Sequence, residues 1–496
     1  MIERALVRAA VAALWMLRLL FSLSPRTYLL LNAGPVQPAL AAVGRLRARA
    51  VFLKGQARCP AYRRFLEEAG HDGRGSWDLG RVPVMTKENY VKRHGIAERC
   101  YDGTLPASGV VIDESSGSSG VPNNWVRSAE ERRDVKRILM TNYAMRYRDR
   151  GCILLNCFAL GPWATGMNVS MSLVDVGILK SIGPDQKKLE NTLTIFGPRY
   201  RYLMFGYPPF IKSFVDTTAI DLSPFHMDLI VGGEGISEGL RAHLLKYFRS
   251  VISSYGASDL EINIGVETEM TVNLRRRCAA DRVLSRELFG RDTPPMVFQY
   301  NAATYLIESL PPDGELIFTI GRLRSAAPKI RYNLMDQGGV MTYAELGRKL
   351  AARGIAIADL APRPSRFPIL FVFGRADLTV PFYGAKVYPT DLEGIINGHP
   401  VLVKQINSFQ MVSYEDEKID RRLKIHLEKV KDLRGEMAPP QTLRDLFFDG
   451  LVACNQDFRE VTRMFDRGCV EVEVHEFGQG PFRDRDLRVK SRYVGS

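Results

Sequence analysis

The sequence is short of several things that would have settled its class at once. It has no Cys-x2-Cys pair. Its only close cysteines, Cys152 and Cys157, are spaced too widely for that pattern and have no histidine at zinc-ligand spacing. The seven cysteines are odd in number and scattered, so a disulfide framework is not indicated and a reducing, cytoplasmic compartment is expected. No run ends in the Gly-Lys-Ser/Thr of a Walker A loop, and no zinc-finger, RRM or helix-turn-helix pattern accompanies the basic residues, so nucleic acid is not an expected partner. A long apolar run is also missing. Ala9 to Leu23 is nearly all apolar behind Arg4 and Arg8, but Arg18 interrupts it and it falls short of the ~20 residues a spanning helix needs. No small-residue cleavage site follows it cleanly. The expectation is an amphipathic or buried helix; the alternative is one lying on a membrane surface, a peripheral contact through residues 5–23 that would make the protein membrane-associated.

What is present is a large, ordinarily apolar chain. Its 496 residues make two to four domains the natural expectation, and 46% hydrophobic against 25% charged residues is far from the composition of disorder. The formal net charge of +13 favours polyanions such as nucleotides, coenzyme A, anionic lipid or nucleic acid. The basic residues are dispersed, with only short runs such as Arg275-Arg276-Arg277, as a generally solvated Arg-rich surface would also have them.

Residues 1–100 read as mostly helical, with Ala61 to Glu68 ending at Gly70 as a C-cap. From about 107 to 345, short apolar strands such as Cys152–Leu155 and Asp228–Val231 alternate with helical stretches, the pattern of an α/β core with mixed or parallel sheets. From about 375 onward the pattern changes. Gln405 to Val412 and Leu423 to Leu427 alternate in period two around the acidic turn Glu415-Asp416-Glu417, a hairpin. A helical stretch from about Leu443 to Phe465 follows. Then Val470, Val472 and Val474 face one side of a strand and Glu471, Glu473 and His475 the other. This predicts a small α+β domain of roughly 120 residues. No internal repeat is visible.

Four segments carry chemistry. In Ser115-Ser116-Gly117-Ser118-Ser119-Gly120-Val121-Pro122, glycines let the backbone curl while hydroxyls and N–H groups can hold phosphate oxygens. In Ser253-Ser254-Tyr255-Gly256-Ala257-Ser258-Asp259, a tyrosine face can stack on adenine, Ser258 can bond a phosphate, and Asp259 is a hard oxygen ligand suited to magnesium. Gly314 to Thr319, followed by Lys329 to Asp336, ends in a carboxylate able to accept both hydroxyls of a ribose. Phe373-Gly374-Arg375-Ala376-Asp377, then Gly384 to Glu393, sits at the break between the two compositional regimes and suggests a hinge. Taken singly these are a Ser/Gly linker, a capped turn, a surface Asp and a turn with an ion pair.

Their order and separation together resemble the adenylate-forming superfamily of acyl-CoA ligases, luciferases and peptide-synthetase adenylation domains, most closely its phenylacetate-CoA ligase-like branch, from about residue 80 onward. The resemblance implies an α/β fold: a large multi-subdomain N-terminal adenylation domain over 1–374, with mixed sheets flanked by helices, and a small mobile α+β lid over 375–496. It places Ser115, Ser116, Gly117, Ser118, Ser119 and Gly120 in the phosphate loop, Gly233 and Glu234 beside the adenine, and Tyr255 and Gly256 in the adenine-stacking segment. Ser258 and Asp259 stand where relatives have Thr-Glu, with Asp259 on the magnesium. Asp336 and Arg375 would contact the ribose, Asp377 would be the hinge, and Gly384 would line the thiol tunnel. The catalytic lysine of relatives sits in Gly-Lys-x-x-Arg-Val; here Val489-Lys490-Ser491-Arg492-Tyr493-Val494 offers Lys490. The chain departs from the pattern there, at Pro122-Asn123 where many relatives have Pro-Lys, and at Asp259, a methylene shorter than Glu.

The implied reaction uses ATP and Mg2+ to join a carboxylic acid to AMP. Coenzyme A, or the phosphopantetheine of an acyl-carrier protein, or an amine, then takes the acyl group. Apolar and aromatic segments near Trp163, Phe205 to Pro209 and Gly232 to Gly256 suit an aryl or fatty acid. The competing expectation from another class is a basic nucleic-acid- or membrane-surface-binding protein without catalysis.

Overall fold

The computed structural model describes residues 34–483 apart from 73–78, 116–122, 147–150, 162, 313, 376–379, 384, 432, 434–435 and 463–464. The chain divides into two compact units, one made of residues 1–115, 124–206 and 218–374, the other of 116–123, 207–217 and 375–496.

The first unit is built on an eleven-stranded mixed sheet. Its strands are β3 (Ile153–Asn156), β4 (Ile178–Ser181), β5 (Arg201–Gly206), β6 (His226–Val231), β7 (Val251–Tyr255), β8 (Gly265–Val266), β9 (Met296–Tyr300), β10 (Tyr305–Leu310), β11 (Glu315–Ile320), β12 (Tyr332–Met341) and β13 (Ile369–Arg375). They lie in the order β10-β11-β12-β13-β9-β8-β7-β6-β5-β3-β4, while β1 (Val111–Ser115) and β2 (Asn123–Arg127) form a separate ribbon. Strands β3 to β7 pair in parallel. Their sequences show why: Ile153-Leu154-Leu155, Tyr202 to Phe205 and Met227 to Val231 are near-continuous apolar runs, which suit strands covered on both faces. The remaining strands pair antiparallel through β7-β8, β8-β9, β9-β13 and β10-β11-β12.

The helix Gln37–Arg58 packs into a core with Tyr62, Tyr332, Leu316 and Phe318. Its Gly44 is required by proximity, because a side chain there would meet the Ala302 carbonyl at 1.9 Å. The expected N-terminal helices thus include Gln37–Arg58 and Pro60–Glu68, the second followed by Gly70 at φ +68°; residues 5–23 lie outside the described residues.

The second unit holds β14 (Val380–Phe382) paired with β15 (Ala385–Val387), and a three-stranded sheet β16 (Ile406–Glu415), β17 (Arg421–Lys429) and β18 (Val470–His475). The β16–β17 hairpin is antiparallel and β18 joins β17 in parallel. Leu423, Ile425 and Leu427 turn inward onto Phe447, Leu451 and Phe458, as the period-two pattern anticipates. The stretch expected as one helix is two, Pro440–Cys454 and Gln456–Val461. Asn455 separates them: its side chain caps the second helix at the Phe458 N–H and donates to the Asp391 carboxylate at 2.7 Å and the Lys386 carbonyl at 2.8 Å.

Candidate active site

In a parallel sheet, ligands sit beyond the carboxyl ends of the strands, where neighbouring connections diverge. The order β4-β3-β5 makes such a point, because the chain leaves β3 for β4 on one side and returns to β5 on the other. The segments that follow β6 and β7 are the ones the sequence singles out. Gly233, two residues past β6, has φ +87°, a conformation open to glycine at little cost. Glu234 follows it. Gly256 follows β7 and is closely enclosed: a Cβ there would lie 2.7 Å from the Asn263 nitrogen and the Glu261 carbonyl.

Tyr255 ends β7 and Asp336 lies in the middle of β12. The tyrosine hydroxyl donates to the Asp336 carboxylate at 2.6 Å. The fold therefore brings together an aromatic face and a nearly buried carboxylate from segments far apart in sequence. The Tyr255 ring is seated by Phe298 and Phe318, with centroids 5.5 and 6.2 Å away. The backbone beside Asp336 is unusual, since Met335 adopts φ +66° and its N–H is held by the Asn333 side chain at 2.6 Å.

Asp259 is buried, and one of its oxygens takes both the Tyr332 hydroxyl at 3.1 Å and the Lys87 ammonium at 3.2 Å. Sequence reading did not single out Lys87. Its position follows from two steps. Thr86 and Asn89 cap one helical turn reciprocally. Met85 is then stitched to the edge of β12 through the Arg331 carbonyl and the Asn333 N–H.

The loop carrying Ser258 and Asp259 is fixed by cations that sequence reading also missed. Arg127 donates to the Ser258 and Leu260 carbonyls and, at 3.0 Å, to Asp113. Lys329 donates to the Leu260 carbonyl at 2.7 Å. Burial, with the Arg127 guanidinium adding to it, pulls the Lys329 ammonium down to about 8. Burial works to raise the Glu261 carboxyl, but Arg322, at 2.6 and 2.9 Å, outweighs it and holds the group below its usual range. Arg322 also reaches Asp134 at 3.0 Å, and Tyr305 donates to Glu261 at 2.7 Å, so the network is satisfied in the core.

Ser115 ends β1 and Arg375 ends β13. Ser116 to Gly120, Asp377, Gly384 and Lys490 lie outside the described residues. Trp163 precedes the helix Ala164–Leu173 and bridges to Glu114.

This architecture is the fold of 2-hydroxyisobutyryl-CoA ligase. The likeness is carried by structure: no protein-family profile matches the sequence and no curated protein matches it. Among solved structures the chain is similar to 2-hydroxyisobutyryl-CoA ligase in complex with 2-HIB-AMP and CoA in the thioesterification state, with a TM-score of 0.62 and 15% identity over 93% of this chain and 90% of that one. It is similar to the same ligase in its postadenylation state with 2-HIB-AMP, with a TM-score of 0.52 and 14% identity over 93% and 90% of the two chains. It is also similar to that ligase in an open conformation with 2-HIB-AMP and CoA, with a TM-score of 0.52 and 14% identity over 93% and 91%.

Proposed function

We propose that the protein is an ATP-dependent acid–thiol ligase that activates a carboxylic acid as its acyl-adenylate and passes the acyl group to coenzyme A. The fold likeness supports the class, and the observation that carries the reading to this chain is the junction of Tyr255 with Asp336 beyond the parallel strands. An aromatic face beside a carboxylate suits a nucleoside, whose base is flat and whose ribose offers two donors.

In the first half-reaction the acid attacks the α-phosphorus of ATP and pyrophosphate leaves. The substrate arrives ionised, so no general base is needed. Asp336 would accept the ribose hydroxyls, and the Tyr255 ring would cover the base. Ser258 would donate to a phosphate oxygen, with its loop held still by Arg127 and Lys329. Asp259 offers the hard oxygen that Mg2+ requires, and the ion would neutralise charge building on the phosphate oxygens. Lys87 and the Tyr332 hydroxyl share one oxygen of that carboxylate. Lys490 would supply the catalytic cation and Ser115 to Gly120 the phosphate loop. Residues 375–496 would act as a lid turning about Asp377, with Gly384 lining the path of the thiol.

Relatives of this fold bind small-molecule acids. Here an aryl or fatty acid fits the apolar segments around Trp163 and Gly232 best. The test is pyrophosphate release from ATP and Mg2+ over a panel of aryl and fatty acids, with and without coenzyme A. Acid-dependent release stimulated by coenzyme A is expected. Release without that stimulation would move the acceptor to a carrier-protein thiol or an amine, and no release with any acid would overturn the adenylation reading. Among the described residues no helix is long and apolar enough to cross a membrane.

A further inference from the structure

The polar face of the sheet in the second unit places together three metal-ligating side chains that the ligase reading does not use. His426 lies on β17 and Glu473 is its register partner on β18, with His475 two residues further along the same face. The Nδ1 of His426 and the Nε2 of His475 face each other at 2.9 Å. His426 Nδ1 lies 3.6 Å from one Glu473 carboxylate oxygen, and His475 Nε2 lies 3.7 Å from the other. All three donor groups fall within 4.8 Å of one another.

We propose that His426, His475 and Glu473 form a binding site for a divalent transition ion of the zinc class. A tetrahedral ion with bonds of about 2.0–2.1 Å separates its donors by about 3.3 Å. The 2.9 Å imidazole edge lies below that value and the two carboxylate edges above it, and because these run to different Glu473 oxygens the half-exposed carboxylate must turn to offer one oxygen between the two rings. Two imidazoles and one carboxylate select zinc and its neighbours over magnesium or calcium, which want oxygen alone. The rings are already oriented. The Gly480 backbone packs against the His475 ring, where a Cβ would come within 2.3 Å of Nδ1, and Phe482 meets the ring at 5.9 Å. The imidazole side chains are only 15% and 12% exposed, whereas Glu473 is 46% exposed, so the carboxylate side is open to an arriving ion. One group competes: the Lys424 ammonium holds Glu473 at 2.7 Å and must be displaced. The ion would tie β17 to β18 across a parallel pairing.

The experiment is equilibrium dialysis of the untagged full chain against zinc chloride at neutral pH, repeated for His426→Ala, His475→Ala and Lys424→Met, with cobalt substitution read in the visible spectrum. One zinc per chain and the bands of four-coordinate cobalt are expected. Each histidine variant should weaken binding by at least about tenfold, as even outer-shell losses do. Lys424→Met should tighten it about two- to fivefold, by removing an exposed ion pair that competes. Circular dichroism melting without zinc identifies any variant that has failed to fold, and the Lys424→Met arm decides without either histidine being changed. The proposal is overturned if wild type takes up no stoichiometric zinc, if a folded histidine variant binds as tightly as wild type, or if Lys424→Met leaves affinity unchanged. The histidines would then be a hydrogen-bonded pair only.

Discussion

At the scale of single residues, the Asp336 carboxylate is the group proposed to hold the ribose, and its contact with Tyr255 makes a clean test available. Asp336→Asn preserves the shape and an acceptor for the tyrosine hydroxyl while removing the charge. A hydrogen bond to a charged group contributes about 1.5–3 kcal/mol, so the KM for ATP should rise roughly 10- to 100-fold with little change in melting temperature. An unchanged KM in steady-state pyrophosphate release would remove Asp336 from the ribose site. Lys87 makes a different prediction. With 22% of its side chain exposed against 7% for Asp259, the pair is mostly desolvated, and losing the ammonium takes this cation from a buried carboxylate that keeps the Tyr332 hydroxyl. Lys87→Met should lower stability by about 2 kcal/mol in the absence of magnesium. Magnesium should restore part of that loss, because it supplies the charge that the variant lacks. Thermal melts with and without Mg2+ check this, and equal magnesium responses in the two proteins would count against Asp259 as the ligand.

At the scale of elements, the Ser258–Glu261 loop is held by Arg127, Lys329 and Arg322, and the lysine gives it a pH signature. The unfolded chain keeps a proton on Lys329 up to about pH 10.5, while the folded chain releases it near 8. Between those values the unfolded state binds more protons, so this group makes stability rise with pH. Relative to Lys329→Met, wild type should gain about 3 kcal/mol across that window. Urea denaturation at pH 7.5, 9 and 10.5 measures it, and parallel curves for the two proteins would refute the buried, depressed ammonium. The same loop shows which parts of the site were legible in the sequence. Tyr255, Gly256 and Asp259 stand in one short string after an apolar run, and Asp336 closes another, so residue type and local order revealed them. Arg127 contacts Ser258 and Leu260 across 131 and 133 residues, and Lys87 reaches Asp259 only because Met85 is sewn to β12. Contacts of that kind have no local pattern. Alternation predicted the parallel half of the sheet and the β16–β17 hairpin. The insertion of β13 between β12 and β9 was illegible, and so was the two-residue β8, because tertiary pairing alone defines them.

At the scale of the whole molecule, the two units have separate hydrophobic cores, one centred on residues such as Phe52, Tyr62 and Phe318 and the other on Phe382, Phe447 and Phe458. The residues proposed for the base and the ribose, Tyr255 and Asp336, belong to the first unit, whereas Ser116 to Gly120 and Lys490, proposed for the phosphates, fall in the second. A core change in the second unit and a nucleoside, which lacks the phosphates, should therefore act on different unfolding transitions. Phe447 is fully buried, and Phe447→Ala should cost the second unit about 3–5 kcal/mol through the lost burial and the cavity left behind. Adenosine at about a hundred times its dissociation constant should stabilise the first unit by about 2.7 kcal/mol. In differential scanning calorimetry, Phe447→Ala should lower one transition and leave the other in place, and adenosine should raise the one that the mutation spares. A single transition shifted by both would mean that the cores unfold as one cooperative body. It would then be the coupling between the units, as well as the contacts proposed at Asp336, that adenosine binding reports.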